Sequence, residues 1–94
     1  MVRTVRRKVR GGKLLQVRLD HDHRVITSVS ITGDFFIHPE EGLDLIEAGL
    51  VGASVQDGEV KMALHIEAVI AENRLTVLGF GPRDLAGAVQ EALS

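Results

Sequence analysis

The first third of the chain alternates apolar and polar residues with a period of two, and this restricts the fold more than any other feature. Val5, Arg7 and Val9 alternate with Arg6, Lys8 and Arg10. Leu15, Val17 and Leu19 alternate with Leu14, Gln16, Arg18 and Asp20. Val25, Thr27, Val29 and Ile31 alternate with Ile26, Ser28, Ser30 and Thr32. Successive side chains of a strand point to opposite faces, so each run predicts a half-buried strand. Gly11-Gly12 separates the first two runs, where a two-residue hairpin turn needs positive φ. His21-Asp22-His23-Arg24 supplies a longer polar turn between the second and third. The expectation is an antiparallel three-stranded meander with one face left to cover.

The remaining two thirds switch to helical spacing. Pro39 fits a first helical position, with Glu40 and Glu41 in the first turn near the positive end of the helix dipole. Leu43, Ile46 and Leu50 recur on one side, and Gly52 marks the stop. Asp57 suits the cap of a second helix over about residues 58–73. Its broad apolar surface (Val60, Met62, Ala63, Leu64, Ile66, Val69, Ile70) predicts the most buried helix of the set. Pro82 opens a third helix, with Leu85, Val89, Ala92 and Leu93 on one side. Thr76-Val77-Leu78, between the last two, reads as a short extended segment. A meander followed by three helices packed on one face is an α+β fold.

With 94 residues, the chain reads as one domain spanning residues 1–94. An apolar fraction of 45% and a charged fraction of 26% suit a globular protein rather than a disordered one. No apolar run approaches the roughly 20 residues of a membrane span. The first ten residues are basic with no apolar stretch after them, so no secretory signal is expected. The absence of cysteine excludes disulfides, thiol catalysis and thiolate metal sites, and fits the cytoplasm.

Charge is distributed unevenly. Residues 1–24 hold eight of the eleven Lys and Arg against two acids, whereas residues 25–94 hold three bases and eleven acids. Solvated strand and helix faces explain this blandly. A basic face for nucleotide phosphate, nucleic acid or an acidic partner explains it functionally. Arg10-Gly11-Gly12-Lys13 could cradle an anion, although a short hairpin accounts for the same residues. His21 and His23, two apart, could share a metal on one side of an extended segment. They lie in a polar turn with no third ligand nearby, which favours an exposed turn. His38 and His65 have no partner that spacing identifies. Neither a nucleophile signature nor a phosphate loop of the Gly-x-x-x-x-Gly-Lys-Ser/Thr type is present, and no two carboxylates pair as acid and base. These residues describe a binding or accessory module better than a complete enzyme.

Thr32-Gly33-Asp34-Phe35-Phe36 stands apart from this pattern. The chain has three aromatic residues, all Phe, and two of them lie here in sequence at the change from strand-like to helix-like spacing. A bare turn needs Gly and Asp but not two large aromatics, which dominate core and interface energetics. The basic strand, by contrast, has no aromatic on which a base could stack, which argues against nucleic acid.

Taken in order, Gly11-Gly12-Lys13, Thr32-Gly33-Asp34-Phe35-Phe36, Pro39-Glu40-Glu41 and Leu50-Val51-Gly52 resemble the small accessory domain of lipoate–protein ligases. Gly79-Phe80-Gly81-Pro82 with Asp84-Leu85-Ala86 resembles the start of that domain's last helix. The likeness runs from about Val5 to Leu93. In that family a large catalytic domain uses lipoate, ATP and Mg to make lipoyl-adenylate. It then passes the lipoyl group to a lysine of an acceptor domain. The small domain usually follows on the same chain and in some organisms is a separate subunit needed for adenylation.

The resemblance implies that this chain is the separate form, one half of a cytoplasmic heterodimer. The catalytic subunit would be its direct partner and lipoyl-acceptor domains indirect ones. It also implies no catalytic residue and no metal or cofactor bound by this chain alone. Phe35 and Phe36 would be apolar anchors, Gly33 would allow the backbone to present them, and Asp34 would fix the segment or accept a bond from the partner. Lys13, with Arg10 or Arg7, would face phosphates or an acidic patch of the partner. The family's small-domain fold is similar to that of certain iron–sulfur scaffold and sulfur-acceptor proteins, a likeness of shape only in a chain without cysteine. Two other readings remain: a free-standing binding module on the same fold, and a basic-strand nucleic-acid binder.

Overall fold

The alternation of the first third is realised as a sheet with one wet and one dry face. The computed structural model describes residues 2–9, 11 and 13–94. Strands β1 (Arg3–Lys8), β2 (Leu14–His21) and β3 (Ile26–Gly33) form an antiparallel meander in the order β1-β2-β3. Val5 pairs with Val17, and Val17 with Ile31, so the apolar positions of all three strands fall in register. These three, with Leu15 and Leu19, are buried. The opposite face holds Thr4, Arg6, Lys8, Arg18, Ser28, Ser30 and Thr32, all exposed.

Two details differ from the alternation pattern. Ile26, which falls on the polar row, is buried, and Thr27, on the apolar row, is exposed. A register shift beside Asp20 and His21 causes this, because a bulge moves the following residue to the other face. The first hairpin is also longer than a two-residue turn: Val9 donates to the Lys13 carbonyl at 2.8 Å, with three residues between them. Gly12 and Arg10 lie outside the described residues.

Helices α1 (Gly42–Leu50), α2 (Gly58–Glu72) and α3 (Pro82–Leu93) cover the dry face. The core joins Leu15, Val17, Leu19 and Ile31 of the sheet to Ile46, Leu50, Met62, Ile66, Leu85 and Val89 of the helices. α3 lies across β1 and β2, α1 lies against β3, and α2 rests chiefly on α3 and α1. This arrangement reverses the expected ranking of the helices. α3, not α2, is the most deeply buried, with Leu85, Ala86, Gly87, Ala88, Val89 and Ala92 all inside. Its small residues let the backbone approach the sheet closely. α2 buries Met62, Ala63 and Ile66, while Val60 and Leu64 remain 66% and 61% exposed.

Helix α1 starts three residues later than the proline suggests. Gly42 donates to the Pro39 carbonyl at 2.9 Å, so Pro39, Glu40 and Glu41 form a turn before the helix. The preceding residues are occupied by an additional strand, β4 (Phe36–His38), which pairs antiparallel with β5 (Thr76–Leu78). Phe36 is therefore part of a strand, and the Thr76–Leu78 run, extended as expected, is its partner. Asp57 stands at the start of α2 without a side-chain capping bond. Its carboxylate lies 3.3 Å from Lys61 Nζ instead. Pro82 opens α3 as expected, with the Asp84 carboxylate accepting the Gly81 N–H at 2.8 Å.

The uneven burial of α2 gives a direct test. Ile66→Ala should lose about 2–5 kcal/mol of stability, whereas Leu64→Ala should stay within about 0.5 kcal/mol. Denaturant unfolding of the two variants measures the difference; equal losses would place both side chains in the core.

Candidate functional site

The structure gathers most of the singled-out segment at one end of the molecule, where β4 and β5 meet the β1–β2 turn. Asp34 ties that end together. It donates its N–H to the Leu14 carbonyl at 2.8 Å, and its Oδ2 accepts the Leu14 N–H at 3.2 Å. Both backbone groups of Leu14 are thus satisfied by one residue, and the ladder ends there. Gly33, just before it, has φ +148, and a Cβ there would overlap the Leu14 carbonyl oxygen. Gly79 approaches from the other side, with φ +113. A Cβ on Gly79 would lie 2.7 Å from the Asp34 carbonyl oxygen and 2.9 Å from Phe35 Cα. Only glycine fits both the dihedral angle and the gap.

This crossing separates the two phenylalanines. Phe35 turns inward, half-buried, and meets Phe80 edge to face with ring centroids 5.2 Å apart at 87°. That is the preferred geometry for two aromatic quadrupoles. Phe36 turns outward and is 63% exposed. Its cross-strand partner is Leu78, 60% exposed. The short ribbon thus buries Ile37, half-buries Val77 and displays Phe36 and Leu78 side by side. Sequence reasoning missed Leu78. Its signal was the β-branched run Thr76-Val77, but no local pattern links that run to Phe36.

Phe36 and Leu78 border an open depression of about 570 Å³, also lined by Lys13, Gly33, Asp34, Phe35 and Gly79. A second depression, of about 400 Å³, continues past Gly79 toward Phe80, Gly81 and Asp84, with Lys13 on its wall as well. Lys13 is exposed and has no ion-pair partner among the described residues. The site therefore offers a pair of apolar side chains, one cation beside them and a backbone locked by two glycines. Among the described lining residues the ionisable side chains are Lys13, Asp34 and Asp84.

Other candidate residues lie elsewhere. Arg7 points to the helix side of the sheet, where Nε is 3.9 Å from Glu91 Oε1. Gly87 makes room for it, since a Cβ there would overlap Arg7 Nη1. Both side chains of the Arg7–Glu91 pair remain partly exposed. Arg10 lies outside the described residues. His21 binds the Asp22 carbonyl through Nδ1 at 2.6 Å, and His23 is exposed. Asp22 orders their turn: its carboxylate accepts from the Val25 and Arg24 N–H groups at 2.8 and 2.7 Å. These bonds, Val25's first, hold its carboxyl below the usual carboxylate value. Among the described residues no group of three or more His, Cys, Asp or Glu is placed to hold a metal ion. No helix among them is long and apolar enough to cross a membrane. The glycine crossing leads to an expected outcome: Gly79→Ala, by strain and contact together, costs about 1–3 kcal/mol. Calorimetry should show a thermal midpoint about 5–15 °C lower.

No protein-family model matches the chain, and no curated protein matches it. A solved structure does. It is described as an archaeal lipoylation system, a bi-partite lipoate protein ligase and its E2 lipoyl domain, from Thermoplasma acidophilum. The two chains superpose with a TM-score of 0.78 at 27% sequence identity, over 95% of this chain and 94% of the other. Both chains are covered almost end to end, so the shared fold accounts for the whole of each. The likeness to the small accessory domain of lipoate–protein ligases, carried in the sequence by Gly11-Gly12-Lys13 and Gly33-Asp34-Phe35-Phe36, extends to the fold and to the length of the chain.

Proposed function

We propose that this chain is the accessory subunit of a two-part lipoate–protein ligase. In this reading it docks on a separate catalytic subunit and supports ATP-dependent adenylation of lipoate, before the lipoyl group passes to an acceptor-domain lysine. The observation that carries the reading is the end-to-end match to a chain of a bi-partite ligase system. The chain also has a hydrophobic core of its own, as a separately folded subunit would.

The docking surface is the end that displays Phe36 and Leu78. Two large apolar side chains held in water by a rigid ribbon lose little conformational entropy when a partner covers them. Each would anchor in a pocket of the catalytic subunit. Gly33 and Gly79 fix the ribbon, Asp34 holds its root on β2, and Phe35 braces it from inside against Phe80. Lys13 stands beside the apolar pair, where it meets a carboxylate or phosphate of the partner's site. The chain itself supplies no reacting group. Its contribution is closure: covering the active site excludes water, which protects an acyl-adenylate from hydrolysis and strengthens the electrostatics around the phosphates. Lipoate, ATP and Mg belong to the assembled ligase.

Reconstitution tests this. The purified chain is mixed with a lipoate-ligase catalytic subunit from the same genome, and lipoate-dependent pyrophosphate release from ATP is followed, with each protein alone as control. Release is expected only in the mixture. Phe36→Ala should raise the concentration needed for half-maximal stimulation by roughly 30-fold, the effect of losing one interface anchor. Its thermal midpoint should barely move. Phe35→Ala should instead destabilise the chain, toward the low end of about 3–5 kcal/mol. No stimulation of a catalytic subunit that still transfers preformed lipoyl-adenylate would sink the proposal.

A further inference from the structure

The open face of the sheet carries three cations in rows that contain no carboxylate. Arg6 stands opposite Gln16, itself opposite Thr32. Arg18 lies between Thr4 and Ser30, and Lys8 stands opposite Leu14. Cross-strand neighbours of opposite charge stabilise a sheet, yet every partner here is neutral. Arg6 Nε donates to Gln16 Oε1 at 2.6 Å, which orients the guanidinium and leaves its other N–H groups without an acceptor among the described residues. Arg18 and Lys8 have no side-chain partner among them. Diagonal neighbours on adjacent strands, such as Arg6 and Arg18, stand about 7–8 Å apart. The inward-facing Arg7 is treated differently: it lies 3.9 Å from Glu91. Among the described residues of the open face the one carboxylate is Asp20, opposite Ser28 and two residues along β2 from Arg18, so three cations face a single acid there.

The face also has relief. Arg18 lines a shallow depression of about 330 Å³ whose wall includes Ser28 and Ser30. A guanidinium flanked by hydroxyl donors is suited to a planar carboxylate, which it can hold through two parallel N–H bonds.

We propose that this face binds a carboxylate-rich surface of a partner protein, with Arg18 and Arg6 as its anchors and Lys8 at its margin. A protein fits better than a nucleic acid for two reasons. The three Phe lie at 35, 36 and 80, none of them on this face, so a base would find nothing to stack on. The chain also has net charge −2, with eleven acids among residues 25–94. A long polyanion leaving the patch would run into that negative field, whereas a compact cluster of carboxylates would not. The inference stands apart from the ligase reading, since the face is distinct from the Phe36–Leu78 end and keeps its charge whatever covers that end.

The test is an NMR titration of the isotope-labelled chain, first with a short poly-L-glutamate peptide and then with a single-stranded DNA oligonucleotide of equal charge. The peptide should shift the amide signals of Thr4, Arg6, Gln16, Arg18 and Ser30, and added salt should reverse the shifts. The double variant R6Q/R18Q should bind the peptide at least about tenfold more weakly, the loss expected for one charge-assisted hydrogen bond. R83Q, on α3, should bind as the parent does. Should the double variant fold poorly, the shift map of the parent protein decides alone. Shifts absent from this face, an equal loss in R83Q, or tighter binding of the oligonucleotide would each overturn the proposal.

Discussion

Everything in this molecule follows from burying one face of a three-stranded sheet. Once Val5, Val17 and Ile31 are in register, three strands share a single apolar surface that water must leave. A sheet this narrow cannot fold onto itself, so the cover has to come from helices on one side. α3 provides the closest cover because its alanines and Gly87 permit a short approach. α1 shields the β3 edge, where the Glu47 carboxylate accepts the Ile31 N–H at 2.7 Å. That bond blunts an edge otherwise open to another chain. α2 then closes over the other two helices, which is why its N-terminal half leaves Val60 and Leu64 in water.

The Phe36–Leu78 end depends on a tighter constraint. Two chain segments pass at backbone contact where Gly79 crosses Asp34 and Phe35. The crossing creates the β4–β5 ribbon and sends consecutive aromatic rings in opposite directions. One ring becomes part of the core, and the other becomes surface. A half-buried ring and an exposed ring thus stand side by side in sequence. The same end gathers Lys13, so apolar and cationic features share one open depression.

Much of this was legible in the residues. Alternation in the first third placed three strands, and helical spacing with Pro82 and Gly52 placed most of the helix ends. The Gly-Asp-Phe-Phe segment marked the candidate site because two of three aromatics stood in it. What escaped were the features that depend on distant partners. Ile26 is buried through a bulge set by the turn at Asp20–His21, not by its own place in the alternation. Leu78 matters because Phe36 is its neighbour across strands some forty positions apart. Arg7 lies 3.9 Å from Glu91 on the last helix, a contact that no local pattern in the residues announces.

The sequence by itself determined the elements and the dry face of the sheet, because periodicity is a local property that each strand and helix carries in its own residues. It also determined that no thiol chemistry occurs here. The tertiary structure decided which helix is innermost, which phenylalanine is displayed and which cations remain unpaired. Those outcomes depend on distances between segments far apart in the chain. Burial, pairing and charge compensation exist only once such segments meet.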